Sequence, residues 1–207
     1  NVLSEIDEVK KSDGTPFKVF TPFWRNAEKY YTEKIPTNEK MIKKCLKKRL
    51  FFYNLIDPTE ILPNKSWFKN FDKLWLPTEE NALKELKNFI KYRIVNYSDG
   101  RNFPNIIGTS KLSPFIRFGQ IHVETIWDEC VKNKSETLGT SKFLAEIGWR
   151  EFNHSLINHF PYMLKNNYSK KFDKFPCEKN AKFLSAWKKG MTGYPIVDAG
   201  MRELYAT

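Results

Sequence analysis

The amino-acid sequence predicts a mainly α-helical protein. From Pro77 onward, apolar residues recur at helical spacing, and no alternation of strands and helices follows residue 30. Hydrophobic residues make up 41% of the 207 residues and aromatic residues 15%, which is enough to build a sizeable core. No apolar run approaches the roughly 18 residues that a membrane span needs, so the sequence excludes a membrane protein.

The N-terminal part has the least regular pattern. Residues 1–13 predict a charged helical segment, and the alternation over residues 17–21 predicts a short strand. Residues 24–50 are rich in Lys and only weakly periodic. Residues 51–78 combine prolines with scattered aromatic residues, which predicts a long connection lying against a surface.

The remaining elements are predicted as helices. Thr78 is the expected cap of a helix that continues to about Tyr97. Ser113, followed by Pro114, is the expected cap of a short helix that ends at Gly119. Further helices are expected over residues 120–132, 141–159, 178–190 and 195–206.

The formal net charge is +11, from 35 Lys and Arg residues against 24 Asp and Glu residues. This surplus favours a polyanionic partner, most commonly nucleic acid. Only seven of the basic residues are Arg, and a sequence rich in Lys, Asn, Ile and Phe also suits an AT-rich genome, so charge alone leaves both explanations open. Three widely spaced cysteines and three scattered histidines predict neither disulfides nor a metal site, and they favour the cytoplasm.

Residues 108–114 form the first candidate site. Thr109, Ser110 and Ser113 place three hydroxyls and backbone N–H groups just before a helix start. Such a terminus suits a phosphate or pyrophosphate. An ordinary capped helix explains the same residues, and in isolation it is the favoured interpretation.

The second candidate site lies on the helix expected over residues 141–159. Glu146, Trp149, Arg150 and Asn153 fall on one face of that helix, with apolar residues on both flanks. A helix of this kind could line a cavity. The alternative is a salt bridge from Glu146 to Arg150, worth about 0.5 kcal/mol, beside a packed Trp.

A third pattern, over residues 187–199, reads as a helix end, a Gly-rich corner and a helix opened by Pro195. Architecture alone explains it best.

Together and in this order, these motifs resemble the flavin-binding domain of the DNA photolyase/cryptochrome family, and within it the bacterial class I cyclobutane pyrimidine dimer photolyases. Residues 75–79 resemble the entry to the flavin domain, and residues 19–24 resemble the exit from the light-harvesting domain before it. The resemblance implies that residues 1–30 are the C-terminal remnant of an α/β antenna domain and residues 31–76 an interdomain connection. Residues 77–207 would be the first part of a helical FAD-binding and DNA-binding domain.

The resemblance also implies roles for single residues. Glu146 and Trp149 would be the catalytic pair: Glu146 hydrogen-bonds the damaged bases and steadies their radical anion, and Trp149 stacks on them. The implied FAD-binding residues are Tyr97, Thr109, Ser110, Lys111, Leu112, Ser113 and Phe143. The implied DNA-binding residues are Arg101, Glu146, Trp149, Arg150 and Asn153.

The implied activity is that of a deoxyribodipyrimidine photo-lyase: light-driven repair of UV-damaged DNA, in which excited reduced FAD donates an electron that splits the dimer. The chain would be an internal, inactive fragment of a monomeric enzyme whose antenna domain holds a folate or a deazaflavin.

Four residues depart from the family pattern, among them Cys177, which stands where a Trp would end an electron-transfer chain; the others are His122, Asn153 and His154. Two alternatives stay open: a cryptochrome-type blue-light sensor on the same fold, and a cofactor-free, basic helical module that binds nucleic acid.

Overall fold

The computed structural model describes residues 2–5, 7–33, 71, 75–132 and 137–206. These residues fall into two compact units. The first comprises the described parts of Asn1–Tyr53 and Pro77–Tyr168, and the second those of Asn54–Leu76 and Ser169–Thr207. Most of the predicted connection over residues 31–76 lies outside the described residues.

The described residues form helices, turns and bends without a strand, which confirms the mainly α-helical fold. Short 3₁₀ turns occupy Ile94–Asn96, Pro161–Leu164 and Lys170–Phe172. The α-helices are α1 (Phe20–Glu33), α2 (Glu79–Tyr92), α3 (Tyr97–Gly100), α4 (Ser113–Arg117), α5 (Val123–Lys132), α6 (Leu138–His159), α7 (Ala181–Lys188) and α8 (Pro195–Ala206). No helix in the described part of the chain is both long and apolar enough to span a membrane.

Helix α6 is the central element of the first unit, and it packs against α1, α3, α5 and the 3₁₀ turn Ile94–Asn96. Two glycines permit the closest of these contacts. A Cβ on Gly139 would collide with the Ile94 carbonyl, and a Cβ on Gly148 would collide with the Trp24 ring. Because neither position has room for a side chain, α6 can lie directly against its neighbours. The largest fully buried side chains are Leu86, Phe89, Ile94, Leu112, Val123 and Ile126.

Three of the observed helix starts have side-chain caps: Thr78 before α2, Thr137 before α6 and Asn180 before α7. Thr78 accepts a hydrogen bond from the Asn81 backbone N–H, as its predicted role as the cap of α2 requires. Thr137 accepts one from the Thr140 backbone N–H, so α6 begins at Leu138, three residues before the predicted start. The helix predicted to continue to Tyr97 ends at Tyr92 instead, and a 3₁₀ turn leads into α3. The helices predicted over 120–132 and 178–190 are shorter, at Val123–Lys132 and Ala181–Lys188.

The prediction of a strand over residues 17–21 was wrong. Helix α1 begins at Phe20, with Pro22 in its first turn, where a missing N–H costs no helical hydrogen bond. Phe23, Ala27 and Tyr31 are buried at helical spacing along α1. The short alternation gives way because this longer apolar face packs against α6.

The charged helix predicted over residues 1–13 was also wrong, because the described residues there form turns and bends. Leu3 and Val9 are buried in the first unit, which fixes the segment by packing rather than by helical hydrogen bonds. Its membership of an antenna domain stays a prediction.

In the second unit, a Gly-rich corner joins α7 to α8, as the third sequence pattern predicted. Gly190 and Gly193 have φ of 63° and 85°, a region that favours glycine. The Asp198 carboxylate accepts hydrogen bonds from the Thr192 N–H and hydroxyl, both at 2.7 Å, and from the Gly193 N–H at 3.0 Å. These hydrogen bonds, with that of the Thr192 hydroxyl foremost, lower the Asp198 pKa.

Candidate functional site

Helices α3 and α6 bring four of the predicted site residues together. The Tyr97 and Phe143 rings meet edge to face with centroids 5.3 Å apart, and both contact the buried Phe89. The Arg101 guanidinium lies 5.5 Å from the centre of the Tyr97 ring. One turn along α6 from Phe143, the Glu146 carboxylate forms an ion pair with Arg101. Predicted FAD-binding and DNA-binding residues therefore share one cluster.

The Arg101–Glu146 pair lies at the boundary between core and surface. The two side chains are 28% and 29% exposed. The hydrogen bond with Glu146 raises the pKa of Arg101, so the guanidinium is charged at all ordinary pH values. Arg101 contacts Oε1 of Glu146, which leaves Oε2 as a possible acceptor for a ligand N–H. Burial raises the pKa of Tyr97, whose ring packs against the Arg101 guanidinium.

The segment 108–113 lies against α3. A Cβ on Gly108 would collide with the Gly100 carbonyl, so the two backbones approach as only glycine permits. Leu112 is buried and anchors the segment, and Lys111 has a left-handed backbone with φ of 54°. The remaining side chains give the turn a polar outer surface: Thr109, Lys111 and Ser113 are exposed and Ser110 is half-buried.

Ser113 does not have its predicted capping role. Leu112 occupies the N-cap position of α4, and Ser113 is the first helical residue. The Ser110 hydroxyl instead accepts a hydrogen bond from the Leu112 backbone N–H at 3.4 Å, which stabilises the turn before α4. The Thr109 and Ser110 hydroxyls therefore lie before α4 and the Ser113 hydroxyl lies on its first residue, and none of the three occupies the N-cap position.

Trp149 lies one turn beyond Glu146 on α6. Its side chain is 41% exposed, and its ring stacks on Phe20 with centroids 3.8 Å apart and an interplanar angle of 11°. Phe152 contacts the indole at a steep angle, with centroids 5.9 Å apart. Trp149 is therefore supported from behind by aromatic rings while part of its surface faces solvent.

The rest of the predicted stripe separates from this cluster. Arg150 pairs with its neighbour Glu151 at 2.6 Å, so the alternative of a salt bridge from Glu146 to Arg150 was wrong. Asn153 is exposed. The predicted DNA-binding roles of Arg150 and Asn153 stay predictions.

Spacing alone does not single out Glu151, although it is the more buried of the two acidic side chains on α6. Its Oε2 accepts a hydrogen bond from the Leu3 backbone N–H at 2.9 Å. Burial raises its pKa, and the Leu3 hydrogen bond and Arg150 act in the opposite direction. The available signal was its position on the apolar flank beside Ile147 and Phe152, where a carboxylate needs a fixed partner.

Comparison with known proteins decides the family. The model of the FAD binding domain of DNA photolyase matches residues 143–207. A deoxyribodipyrimidine photo-lyase of Agrobacterium fabrum is 36% identical over 211 residues, covering 99% of this chain and 43% of that protein. The chain belongs to the photolyase/cryptochrome family. The resemblance found in the motifs is thereby confirmed at family level, and the family model supports FAD as the cofactor.

Members of both branches of the family are similar to this chain. Cryptochrome-2 of Arabidopsis thaliana is 28% identical over 241 residues, covering 100% of this chain and 36% of that protein. A solved bacterial class III photolyase from Agrobacterium tumefaciens matches with a TM-score of 0.77 and 32% identity, covering 99% of this chain and 43% of that chain. A Synechocystis cryptochrome structure shares the fold, with a TM-score of 0.71 and 21% identity, covering 99% of this chain and 42% of that chain.

The chain spans less than half the length of these relatives. The helical fold of the photolyase-type FAD-binding domain is shared with the solved structures.

Proposed function

We propose that the chain is part of a light-driven DNA repair lyase that splits cyclobutane pyrimidine dimers. The observation that carries the proposal is the arrangement on α6: a partly exposed Glu146 paired with Arg101, and an exposed indole one turn further on. Relatives named deoxyribodipyrimidine photo-lyase, with identities of 36% and 31% over nearly the whole chain, support it.

The residues present fit FAD. The hydroxyls of Thr109, Ser110 and Ser113 and the Lys111 ammonium lie on the polar segment that leads into α4, and this donor set suits a pyrophosphate. The Tyr97 and Phe143 rings contact each other and form an aromatic wall. This wall lies beside the polar segment, because Gly108 packs closely against Gly100 of α3. Reduced FAD, when bound, would supply the electron that light drives into the lesion.

The protein's own groups bind and orient the DNA. Trp149 offers an exposed aromatic surface, and nucleobases stack on such surfaces. Glu146 accepts hydrogen bonds from base N–H groups, and Arg101 holds the carboxylate in place by a charge-assisted contact. The net charge of +11 provides the sequence-independent attraction to DNA phosphates.

The finer assignments are part of the proposal. The intact enzyme would be a monomer in the cytoplasm, with a folate or deazaflavin antenna in the domain to which residues 1–30 would belong. Bacterial class I membership rests on the motifs alone, and the 32% identity to a class III photolyase structure favours class III instead.

The second candidate function is that of a cryptochrome-type blue-light sensor, and the 28% identity to cryptochrome-2 favours it. A sensor would bind flavin and respond to blue light without repairing dimers. The cofactor-free nucleic-acid module differs from both because it would give no flavin absorbance. Repair yield per absorbed photon and the flavin spectrum therefore separate the three functions.

The test uses Trp149→Ala in the intact, FAD-loaded enzyme. Because stacking is worth about 1–3 kcal/mol per base, affinity for dimer-containing DNA should fall about ten- to a hundredfold. Undamaged DNA, held mainly through phosphates, should bind nearly as before. Trp187→Ala is the matched control, since Trp187 is 49% exposed but lies on α7. Equal weakening towards both DNAs, or a wild-type protein without lesion preference, would contradict the proposal.

A further inference from the structure

Three aromatic rings form a continuous stack at the surface of the first unit. The Phe20 ring lies nearly parallel to Trp149, with centroids 3.8 Å apart and an angle of 11°. The Phe20 ring also lies nearly parallel to Trp24, with centroids 6.0 Å apart and an angle of 13°. We refer to Trp24, Phe20 and Trp149 as the three-ring stack.

The inner end of the three-ring stack is fixed by the backbone of α6. The Trp24 ring fills the space that a side chain at position 148 would need, so Gly148 makes the contact possible. Trp24 also meets the buried Trp127 edge to face, with centroids 6.0 Å apart. Because the inner indole is held on two sides, it gives Phe20 a rigid base.

The outer end of the stack is the exposed Trp149. Phe20 covers one face of this indole, so a flat ligand can stack only on the opposite face. Phe152 contacts both the Phe20 and Trp149 rings at steep angles, with centroids 5.9 Å away in each case, which limits sliding of one ring over the other. The indole is therefore oriented before any ligand arrives, which lowers the entropy cost of binding.

We propose that Phe20 is a positioning residue that orients Trp149 for stacking against a nucleobase or a flipped-out pyrimidine dimer. The inference rests on the proposed function. It extends the lesion site beyond α6 to the start of α1, where Phe20 is the first helical residue. Phe20 acts through Trp149 and needs no contact with the DNA.

The experiment compares Phe20→Leu with the conservative Phe20→Tyr in the intact, FAD-loaded enzyme. The readout is the ratio of dissociation constants for undamaged and dimer-containing oligonucleotides at fixed salt. Aromatic pairs contribute beyond their buried area, so Phe20→Leu should lower the ratio about three- to tenfold. Phe20→Tyr keeps the ring, and its hydroxyl can reach solvent because Phe20 is only half-buried, so this variant should stay within about twofold of wild type.

Two further variants separate positioning from plain packing. Phe17→Leu removes a buried ring that contacts Phe23, with centroids 6.1 Å apart, and should lower stability without changing the ratio. In the Trp149→Ala background, Phe20→Leu should cause no further loss of lesion preference, because a positioning residue has nothing left to position. Phe20→Met serves in place of Phe20→Leu if the smaller side chain prevents folding.

The outcomes distinguish this inference from the proposed function. If wild type prefers the dimer and Phe20→Leu keeps that preference, the role of Phe20 is refuted while the proposed function stands. The same conclusion follows if Phe20→Leu and Trp149→Ala lower the ratio independently. A wild-type protein that shows no preference for the dimer would overturn the proposed function and this inference together.

Discussion

Helix α6 has two faces that use the same chemical groups differently. The face towards α3 carries Glu146, and the face towards α1 and the N-terminal segment carries Glu151. Each carboxylate pairs with an arginine, yet the Glu146 side chain is 29% exposed and the Glu151 side chain only 4%. Burial therefore decides the role of each group: Glu146 can still reach a ligand, whereas Glu151 stabilises the fold.

The partners reinforce this difference. Glu146 is paired with Arg101, which lies 45 positions earlier and just beyond α3. Glu151 is paired with the adjacent Arg150 and accepts the backbone N–H of Leu3, so it connects α6 to the chain's first residues. We name these surfaces the α3 face and the α1 face of α6.

The largest effect on stability is expected from filling the α1 face. In Gly148→Ala, the new methyl group would collide with the Trp24 ring, and overpacking of this kind should lower the free energy of unfolding by about 2–3 kcal/mol. Thermal or chemical denaturation measures this loss of unfolding free energy. Gly200→Ala is the control, because nothing lies within 4 Å of a Cβ there and Ala is the better helix former, so stability should rise by up to about 1 kcal/mol. Equal effects at both glycines would mean that the α1 face is loosely packed.

Sequence reasoning predicted much of α6 itself. The apolar flanks Phe143, Leu144, Ile147, Phe152 and Leu156 are all buried, and Glu146 and Trp149 are both accessible on the predicted face. These properties follow from the helical period, which is local information.

The partners across the fold could not be predicted from spacing. Arg101 meets Glu146 only because α3 packs on α6, and the alternative pair of Glu146 with Arg150 does not form. Likewise, the five-residue alternation over 17–21 looked like a strand because the contact between Trp24 and Gly148, which favours a helix there, is not visible in local sequence. The rest of the site thus depends on long-range packing.

The second expected effect contrasts the two carboxylates directly. Glu151→Ala would remove the carboxylate that accepts the Leu3 N–H hydrogen bond and pairs with Arg150, which should cost about 1–2 kcal/mol of unfolding free energy. Glu146→Ala should cost less than about 1 kcal/mol, because a partly exposed ion pair is screened by solvent.

Repair yield should respond in the opposite order, with the larger loss from the change at Glu146 and the smaller from the change at Glu151. Glu146→Gln keeps the shape of the side chain but weakens its acceptor, so repair yield under blue light should fall while bound flavin is retained. Glu151→Gln should leave repair per photon unchanged in the folded protein. Normal repair in Glu146→Gln, or a greater loss in Glu151→Gln, would reverse the assignment of the two faces.

The smallest expected effect is a pH dependence on the α1 face, because protonation leaves the Glu151 side chain in place. Burial raises the pKa of Glu151 above its ordinary value of 4.5. At a pH between the ordinary pKa of 4.5 and the raised pKa of the folded state, folded Glu151 keeps a proton that the unfolded chain has lost. The free energy of unfolding therefore falls as pH rises through this window. Relative to Glu151→Gln, which does not titrate, wild type should therefore gain stability on acidification towards pH 4.5 and then level off.

Other titrating groups near Glu151 also change stability with pH. The difference in unfolding free energy between wild type and Glu151→Gln is therefore more informative than the pH dependence of wild type alone. His154 lines the same small cavity as Glu151, and burial lowers its pKa, so it contributes stability that is lost as pH falls below 6.5. That loss opposes the gain from Glu151, but it occurs in both proteins and cancels in the comparison. Tyr31 does not titrate in this range, because burial raises its pKa far above it. If the difference in unfolding free energy between wild type and Glu151→Gln did not change with pH, the Glu151 pKa would be ordinary, and the α1 face would be as open to solvent as the α3 face.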